Sequence, residues 1–106
     1  MKTFQGPEVV QNVRAMAGDN IFQSIKLSWN KVDVRKEDEL IKYKVCLKTL
    51  EKHTAQEFIF QTENVTLDNL VAARSYFVTI SAGNSDGYGP ASTAVNFTIP
   101  GLYKYH

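Results

Sequence analysis

Short runs in which apolar and polar residues alternate are the feature of this 106-residue chain that most restricts its fold. One run ends at Trp29, a second opens at Tyr43, and a third opens at Tyr76, with Leu70 six positions earlier. A period of two, enriched in β-branched and aromatic residues, is typical of β-strands that bury one face. Because turn-rich segments separate the runs, the sequence predicts an all-β, antiparallel sandwich of seven strands around one core.

The alternation assigns one side of each predicted strand to the interior. Strands are expected over residues 9–16, 24–29, 41–48, 57–61, 65–67, 76–82 and 95–99. The first of these is irregular, and the first and fourth are expected at sheet edges. The predicted inward residues are Val10, Val13, Ile25, Leu27, Trp29, Tyr43, Val45, Leu47, Val65, Leu67, Tyr76, Val78, Ile80, Ala82, Val95, Phe97 and Ile99. Residues 83–90 are expected to form a glycine-rich hairpin loop before the last strand.

Composition favours one self-standing globular domain. Hydrophobic residues make up 43% of the chain and charged residues 22%. A chain of this length buries roughly 60–65% of its unfolded surface, which suffices for a core without metals or disulfides. We expect a domain over residues 7–100, monomeric in isolation, with a flexible tail at 1–6 and a linker segment at 101–106.

Residues that carry chemistry do not converge in this sequence. His53 and His106 lack metal-ligand spacing with cysteine or carboxylates. The carboxylates of residues 37–39 follow Arg35 and Lys36, and such a mixed charge run is typical of a solvated loop. The net charge of +1 is too small to favour nucleic acid or an acidic membrane surface. We therefore expect no catalytic residue, no metal and no cofactor.

Cys46 is the single cysteine, so the chain forms no internal disulfide. Its neighbours Val45 and Leu47 are expected inside, and strict alternation then places Cys46 on the exposed side of its sheet. We expect a free thiol that is partly covered and inert, or, in an extracellular protein, one that pairs with another molecule.

The order of the aromatic residues resembles the fibronectin type III domain over nearly the whole chain. Trp29 ends the second strand, Tyr43 and Val45 open the third, and Leu70 stands six positions before Tyr76. The segment Ala-Gly-Asn-Ser-Asp-Gly-Tyr-Gly at 82–89 is similar to the one that precedes the last strand in that family.

This resemblance implies an immunoglobulin-like sandwich with fibronectin type III topology, in which Trp29, Tyr43, Leu70 and Tyr76 are structural core residues. It also implies a tyrosine corner, in which the Tyr76 hydroxyl bonds to backbone upstream. The family often has proline and glycine in the crossover where this chain has Ala72 and Ala73.

The same resemblance implies a non-catalytic spacer and protein–protein interaction module. It favours the extracellular part of a multidomain receptor or adhesion protein, including cytokine-receptor-like and receptor kinase or phosphatase proteins that act in signalling. Expected partners are adjacent repeats and a protein ligand or co-receptor, with no nucleic acid and no direct membrane contact. Two alternatives remain open: an accessory spacer of a secreted carbohydrate-active enzyme, and an intracellular cytoskeletal scaffold repeat.

Two sequons for N-linked glycans fit an extracellular setting. They are Asn64-Val65-Thr66 and Asn96-Phe97-Thr98. Alternation places Asn64 and Asn96 outward, so both could carry sugar without breaking the core.

The outward side of the third and sixth strands is the candidate interaction surface. It is expected to carry Lys42, Lys44, Cys46, Lys48, Phe77, Thr79 and Ser81. Phe77 either covers the aliphatic stems of neighbouring lysines or anchors a partner. Tyr88, expected at the tip of the 83–90 loop, either is a second anchor or shields the end of the core.

Overall fold

The computed structural model describes residues 7–32, 41–50 and 55–101. The predicted tail at 1–6, the carboxylate run at 37–39, both histidines and most of the linker segment lie outside these ranges. Within them the chain forms eight strands: β1 Arg14–Ala17, β2 Ile25–Ser28, β3 Lys42–Thr49, β4 Gln56–Phe60, β5 Asn64–Leu67, β6 Ser75–Asn84, β7 Gly87–Tyr88 and β8 Val95–Thr98.

The strands form two antiparallel sheets, as the alternation predicts. The smaller sheet has the order β1-β2-β5. The larger has the order β4-β3-β6, and both β7 and β8 pair with the far side of β6. The predicted sandwich is confirmed.

The core lies between the two sheets and contains the predicted inward side chains. Val45, Val78, Ile80 and Ala82 are completely buried. The Trp29 ring meets the Tyr43 ring edge-on, with centroids 5.4 Å apart, and so joins the end of β2 to β3 of the opposite sheet. Aromatic pairs in this geometry add stability beyond the area that they bury.

The crossover between β5 and β6 has the hydrogen bond of a tyrosine corner. The hydroxyl of Tyr76 accepts a 2.8 Å hydrogen bond from the backbone N–H of Val71. Leu70 is buried, and its own N–H donates to the carbonyl of Gln23 in the turn before β2. The crossover is therefore held both to β6 and to the turn that leads into the smaller sheet.

The first strand is shorter than predicted, because it begins at Arg14 rather than at residue 9. Asn12 has a positive φ of 56°, which interrupts the extended backbone just before β1. Val10 is nevertheless buried, and the carbonyl of Gln11 accepts a hydrogen bond from Asn30. This segment thus packs on the core without joining a sheet ladder.

The predicted hairpin loop at 83–90 is a tight turn flanked by strand on both sides. β6 extends to Asn84, and Gly87, at φ 129°, begins the additional strand β7. The backbone then leaves the ladder near Pro90, which has no N–H to donate. The chain contacts β6 again at Ser92, whose hydroxyl accepts a 2.9 Å hydrogen bond from the N–H of Ile80. This interruption is why eight strands are observed where seven were predicted.

Candidate interaction face

The outward side of the larger sheet is here called the outer face. Residues of neighbouring strands that stand opposite each other in register share a face. The outer face is therefore made of Lys42, Lys44, Cys46 and Lys48 from β3, Glu57 and Ile59 from β4, Ser75, Phe77, Thr79, Ser81 and Gly83 from β6, Tyr88 from β7, and Asn96 and Thr98 from β8.

One end of the outer face is built around Tyr88. Tyr88 stands opposite Gly83, and a Cβ atom added to Gly83 would lie 2.6 Å from two carbons of the Tyr88 ring. The ring therefore rests on the backbone of β6 at the one position without a side chain. The Lys44 ammonium lies 4.5 Å from the ring centroid, a cation–π distance. Tyr88 thus lies on the outer face, and not over the end of the core.

The other end of the outer face is built around Phe77. Phe77 is half-buried and stands between Lys48 on β3 and Asn96 on β8. Six positions of extended chain separate Phe77 from Gly83, which corresponds to about 20 Å. Sequence analysis placed Phe77 and Tyr88 on one surface, and the structure sets them at its opposite ends, each beside a lysine.

The middle of the outer face holds the free thiol. The Cys46 Sγ atom lies 3.7 Å from a Glu57 carboxylate oxygen. Burial raises the pKa of the thiol, and the charge of Glu57 raises it further. The thiol is therefore less ionised than an ordinary cysteine, which makes it a weaker nucleophile and a weaker metal ligand.

Ser81 is buried, with 7% of its surface exposed, although the alternation predicts it on the solvent side. It does lie on the outer face, opposite Lys44. Lys44 reaches toward Tyr88, which pairs with Gly83, two residues along β6 from Ser81. The sequence assignment of its face is correct, and the expected exposure is wrong.

The two sequon asparagines are both exposed, in different sheets. Asn64 begins β5 in the smaller sheet and stands opposite Ser28. Asn96 lies in β8 on the outer face and stands opposite Phe77. Only the second sequon therefore has an aromatic ring directly across the ladder.

The four structural residues singled out in the sequence are all buried. The Tyr43 hydroxyl donates to a Glu63 carboxylate oxygen at 3.0 Å and accepts from the N–H of Val32. Burial is the main reason why the pKa of Tyr43 is raised. The Trp29 indole N–H has no hydrogen-bond partner among the described residues. Sequence analysis missed Glu63, because an isolated carboxylate in a turn carries no local signal of its partner.

The described part of the chain holds no group of three or more histidine, cysteine or carboxylate side chains placed to bind a metal ion. No helix within the same ranges is long and apolar enough to cross a membrane.

Two antiparallel sheets packed face to face, with a tyrosine corner at the crossover, define an immunoglobulin-like β-sandwich. The sequence profile of the fibronectin type III domain matches residues 9–98. The chain belongs to the fibronectin type III family, as the order of its aromatic residues suggested.

Solved structures with the same fold come from proteins of different kinds. A fibronectin type III domain of human fibronectin type III domain containing protein 3 superposes with a TM-score of 0.78 at 22% identity, covering 95% of this chain and 93% of that one. The FN1–FN3 domains of chicken CNTN1 give 0.75 at 24% identity, covering 89% and 32%. Domains A168–A170 of titin give 0.74 at 18% identity, covering 90% and 32%. A comparison with curated protein sequences finds no match.

These identities establish the fold alone. Domains of this family are typically non-catalytic modules that interact with proteins in multidomain chains. They occur in extracellular proteins and also in intracellular ones such as titin.

Proposed function

We propose that this chain is a non-catalytic spacer and protein-interaction module of an extracellular receptor or adhesion protein. In this proposal the outer face contacts an acidic surface of a protein partner, either a neighbouring domain or a ligand. The observation that carries the proposal is the row of lysines along β3, set beside half-exposed aromatic rings at both ends.

The charge of the outer face supports an acidic partner. Lys42 and Lys48 are exposed and Lys44 is half-buried, so three ammonium groups share one face of one strand. Glu57 is the one carboxylate that the described strands place among them. Opposite charges across an interface speed association and suppress wrong partners.

The aromatic rings supply the apolar part of such an interface. Tyr88 is 36% exposed and is held in place by Gly83 below and Lys44 above. Ile59 of β4 adds an aliphatic side chain that is 51% exposed on the same face. Rigid aromatic rings rimmed by polar groups are typical of residues that contribute most to binding.

The two sequons support an extracellular location, because both asparagines are exposed in the folded domain. The test is expression of the full-length parent protein in animal cells, followed by treatment with a glycosidase that removes N-linked sugar. A mass shift that maps to Asn64 or Asn96 is expected. An unshifted parent protein, measured beside a known glycoprotein from the same cells, would contradict the extracellular part of the proposal.

The outer face is tested by titrating the isotope-labelled chain with a short glutamate-rich peptide and following the backbone amides by NMR. We expect the largest shifts at Lys42, Lys44 and Tyr88, and weaker binding as salt rises. Replacing Lys42 and Lys44 by glutamine should weaken binding by about two- to fivefold per lysine.

The matched control is Lys26→Gln on the smaller sheet, where Lys26 is exposed and lies 3.5 Å from Asp19. This variant should bind the peptide as the unaltered chain does. Equal weakening by Lys26→Gln and by the outer-face variants would mean that the peptide senses net charge only, and would overturn the assignment of this face.

An intracellular scaffold repeat is the second candidate. The unpaired Cys46 and the structural similarity to titin domains favour it. The glycosidase experiment separates the two, since a protein that never enters the secretory pathway acquires no N-linked sugar.

A further inference from the structure

The strand register brings a glycosylation sequon and a half-buried aromatic ring together. Asn96 and Phe77 are 19 positions apart in the chain and stand directly opposite each other on β8 and β6. Both lie on the outer face, because the next residues along each strand, Phe97 and Tyr76, stack on each other on the inner side with ring centroids 5.4 Å apart.

We propose that Phe77 is the packing platform for the first N-acetylglucosamine of a glycan on Asn96. Side chains that face each other across an antiparallel ladder have Cβ atoms about 4.5–5.5 Å apart. A sugar ring attached to the amide nitrogen of Asn96 therefore extends from the exposed edge of the sheet across the face of Phe77. This inference rests on the extracellular part of the proposed function, because only the secretory pathway attaches such a glycan.

The chemistry of the two groups is complementary. Phe77 is half-buried, so part of an apolar ring remains in contact with water in the bare protein. One side of a pyranose ring carries mainly C–H groups, which pack well against an aromatic face. Covering the exposed part of Phe77 in this way removes apolar surface from water, which stabilises the folded state.

The second sequon is a control contained in the same chain. Asn64 is exposed and begins a strand at the edge of the smaller sheet, as Asn96 lies at the edge of the larger one. Its cross-strand partner on β2 is Ser28, and Ser28 in turn pairs with Arg14 on β1. A sugar on Asn64 therefore meets no aromatic ring among the described residues across the ladder, and it should stabilise the domain much less.

A glycan held on Phe77 has a consequence for the outer face. It covers the end that contains Phe77 and Lys48 and leaves the end that contains Tyr88 and Lys44 open. The partner of the glycosylated protein would then contact mainly Tyr88, and the presence of sugar at one asparagine would set how much of the face is available.

The test uses all 106 residues, secreted from animal cells behind an added signal peptide, so that it does not depend on where the parent protein resides. The glycans are trimmed enzymatically to a single N-acetylglucosamine. Thermal unfolding is then compared for five proteins. Four share an Asn64→Gln background, with and without Asn96→Gln and each with and without Phe77→Val. The fifth carries Asn96→Gln alone, so that Asn64 is the sequon that remains.

We expect the single sugar on Asn96 to raise the melting temperature by about 2–6 °C when Phe77 is present. The rise should fall below about 1 °C in the Phe77→Val protein, and also for a sugar on Asn64 in an Asn96→Gln background. Nuclear Overhauser contacts between sugar protons and the Phe77 ring should appear in the unaltered protein, which keeps the test valid if Phe77→Val folds poorly.

Absence of sugar on Asn96 after secretion would overturn the inference. The inference would also be overturned if the sugar on Asn96 raised the melting temperature equally with and without Phe77. Equal rises for sugars on Asn64 and on Asn96 would overturn it as well. Failure of the proposed function has a different signature, because the parent protein would then carry no sugar in its own cells while the secreted chain still shows the contact.

Discussion

At the scale of single residues, Ala73 has the backbone conformation that is least suited to its side chain. It has a φ of 62°, in the left-handed region, where a Cβ atom crowds the backbone. The N–H of Ala73 donates to the carbonyl of Ile99 at 2.8 Å, so the crossover between the sheets holds this conformation. The sequence resemblance pointed to the same place, because the family often has proline and glycine in this crossover.

Replacing Ala73 by glycine should therefore stabilise the domain. Relief of the left-handed strain outweighs the greater freedom of glycine in the unfolded chain, and we expect a gain of about 0.5–1 kcal/mol in the free energy of unfolding. Urea denaturation measures it. The control is Ala72→Gly, where φ is not positive and the same change should lower stability. A loss of stability in Ala73→Gly would contradict the explanation.

Cys46 is the residue whose reactivity the structure modifies. Its raised pKa means that the folded state holds the thiol proton more tightly than the unfolded chain does. The stability contributed by this difference is fully present below the unfolded pKa of about 8.5 and is lost as the pH rises through the folded pKa.

We therefore expect iodoacetamide to alkylate Cys46 more slowly in the folded protein than in urea at the same mildly alkaline pH. Glu57→Gln should raise the rate in the folded protein, because it removes a negative charge 3.7 Å from the sulfur. The control, Asp68→Asn, removes an exposed carboxylate from the end of the smaller sheet and should leave the rate unchanged. If the unaltered chain, Glu57→Gln and Asp68→Asn were alkylated at equal rates in the folded state, Glu57 would not be a cause of the slow reaction.

At the scale of elements, the β6–β7 hairpin positions one end of the outer face. Gly87 permits the turn, while the absence of a side chain at Gly83 lets the Tyr88 ring lie against β6. The φ of Gly83 is not positive, so its role is to leave space rather than to supply an unusual backbone conformation.

Gly83→Ala should accordingly act through the Tyr88 ring. The new methyl group would lie 2.6 Å from ring carbons, so the ring must move away from β6, which disturbs its contact with Lys44. We expect a loss of about 1–3 kcal/mol in the free energy of unfolding, measured by urea denaturation. The same substitution in a Tyr88→Ala background should cost much less. Additive effects of the two changes would show that Gly83 has another role.

At the scale of the whole molecule, stability depends on side chains that connect the two sheets. Trp29 follows β2 of one sheet, and its ring meets that of Tyr43 on β3 of the other. Tyr43 is in turn bonded to Val32 and Glu63, which places a small polar network at this end of the core.

Trp29→Ala should remove this connection and leave a cavity between the sheets. We expect a loss of roughly 3–5 kcal/mol in the free energy of unfolding, which urea denaturation monitored by far-ultraviolet circular dichroism measures. Trp29→Phe should cost less, because it keeps an aromatic ring and removes an indole N–H that has no partner among the described residues. A loss below about 1 kcal/mol for Trp29→Ala would contradict the buried role of this residue.

Local patterns in the chain predict the regular strands and do not predict the irregular ones. The inward positions of β3 and β6 were predicted correctly, because each strand sorts its side chains by local alternation. The start of β1 was predicted wrongly, because the positive φ of Asn12 interrupts a segment whose sequence is typical of a continuous strand. The strand β7 was also missed, because the two residues Gly87 and Tyr88 are too few to show any period.

The sequence by itself determined the buried side of each regular strand, because this follows from spacings within short segments. The order of the motifs along the chain indicated the family, and that resemblance implied the tyrosine corner. Tertiary structure alone decided that Asn96 faces Phe77, that Tyr88 rests on Gly83 and that Glu57 lies beside Cys46. The physical reason is that register across a ladder is set when segments far apart in the chain pair with one another. No local pattern records which residue will stand opposite, so the pairings across the outer face emerge only in the folded domain.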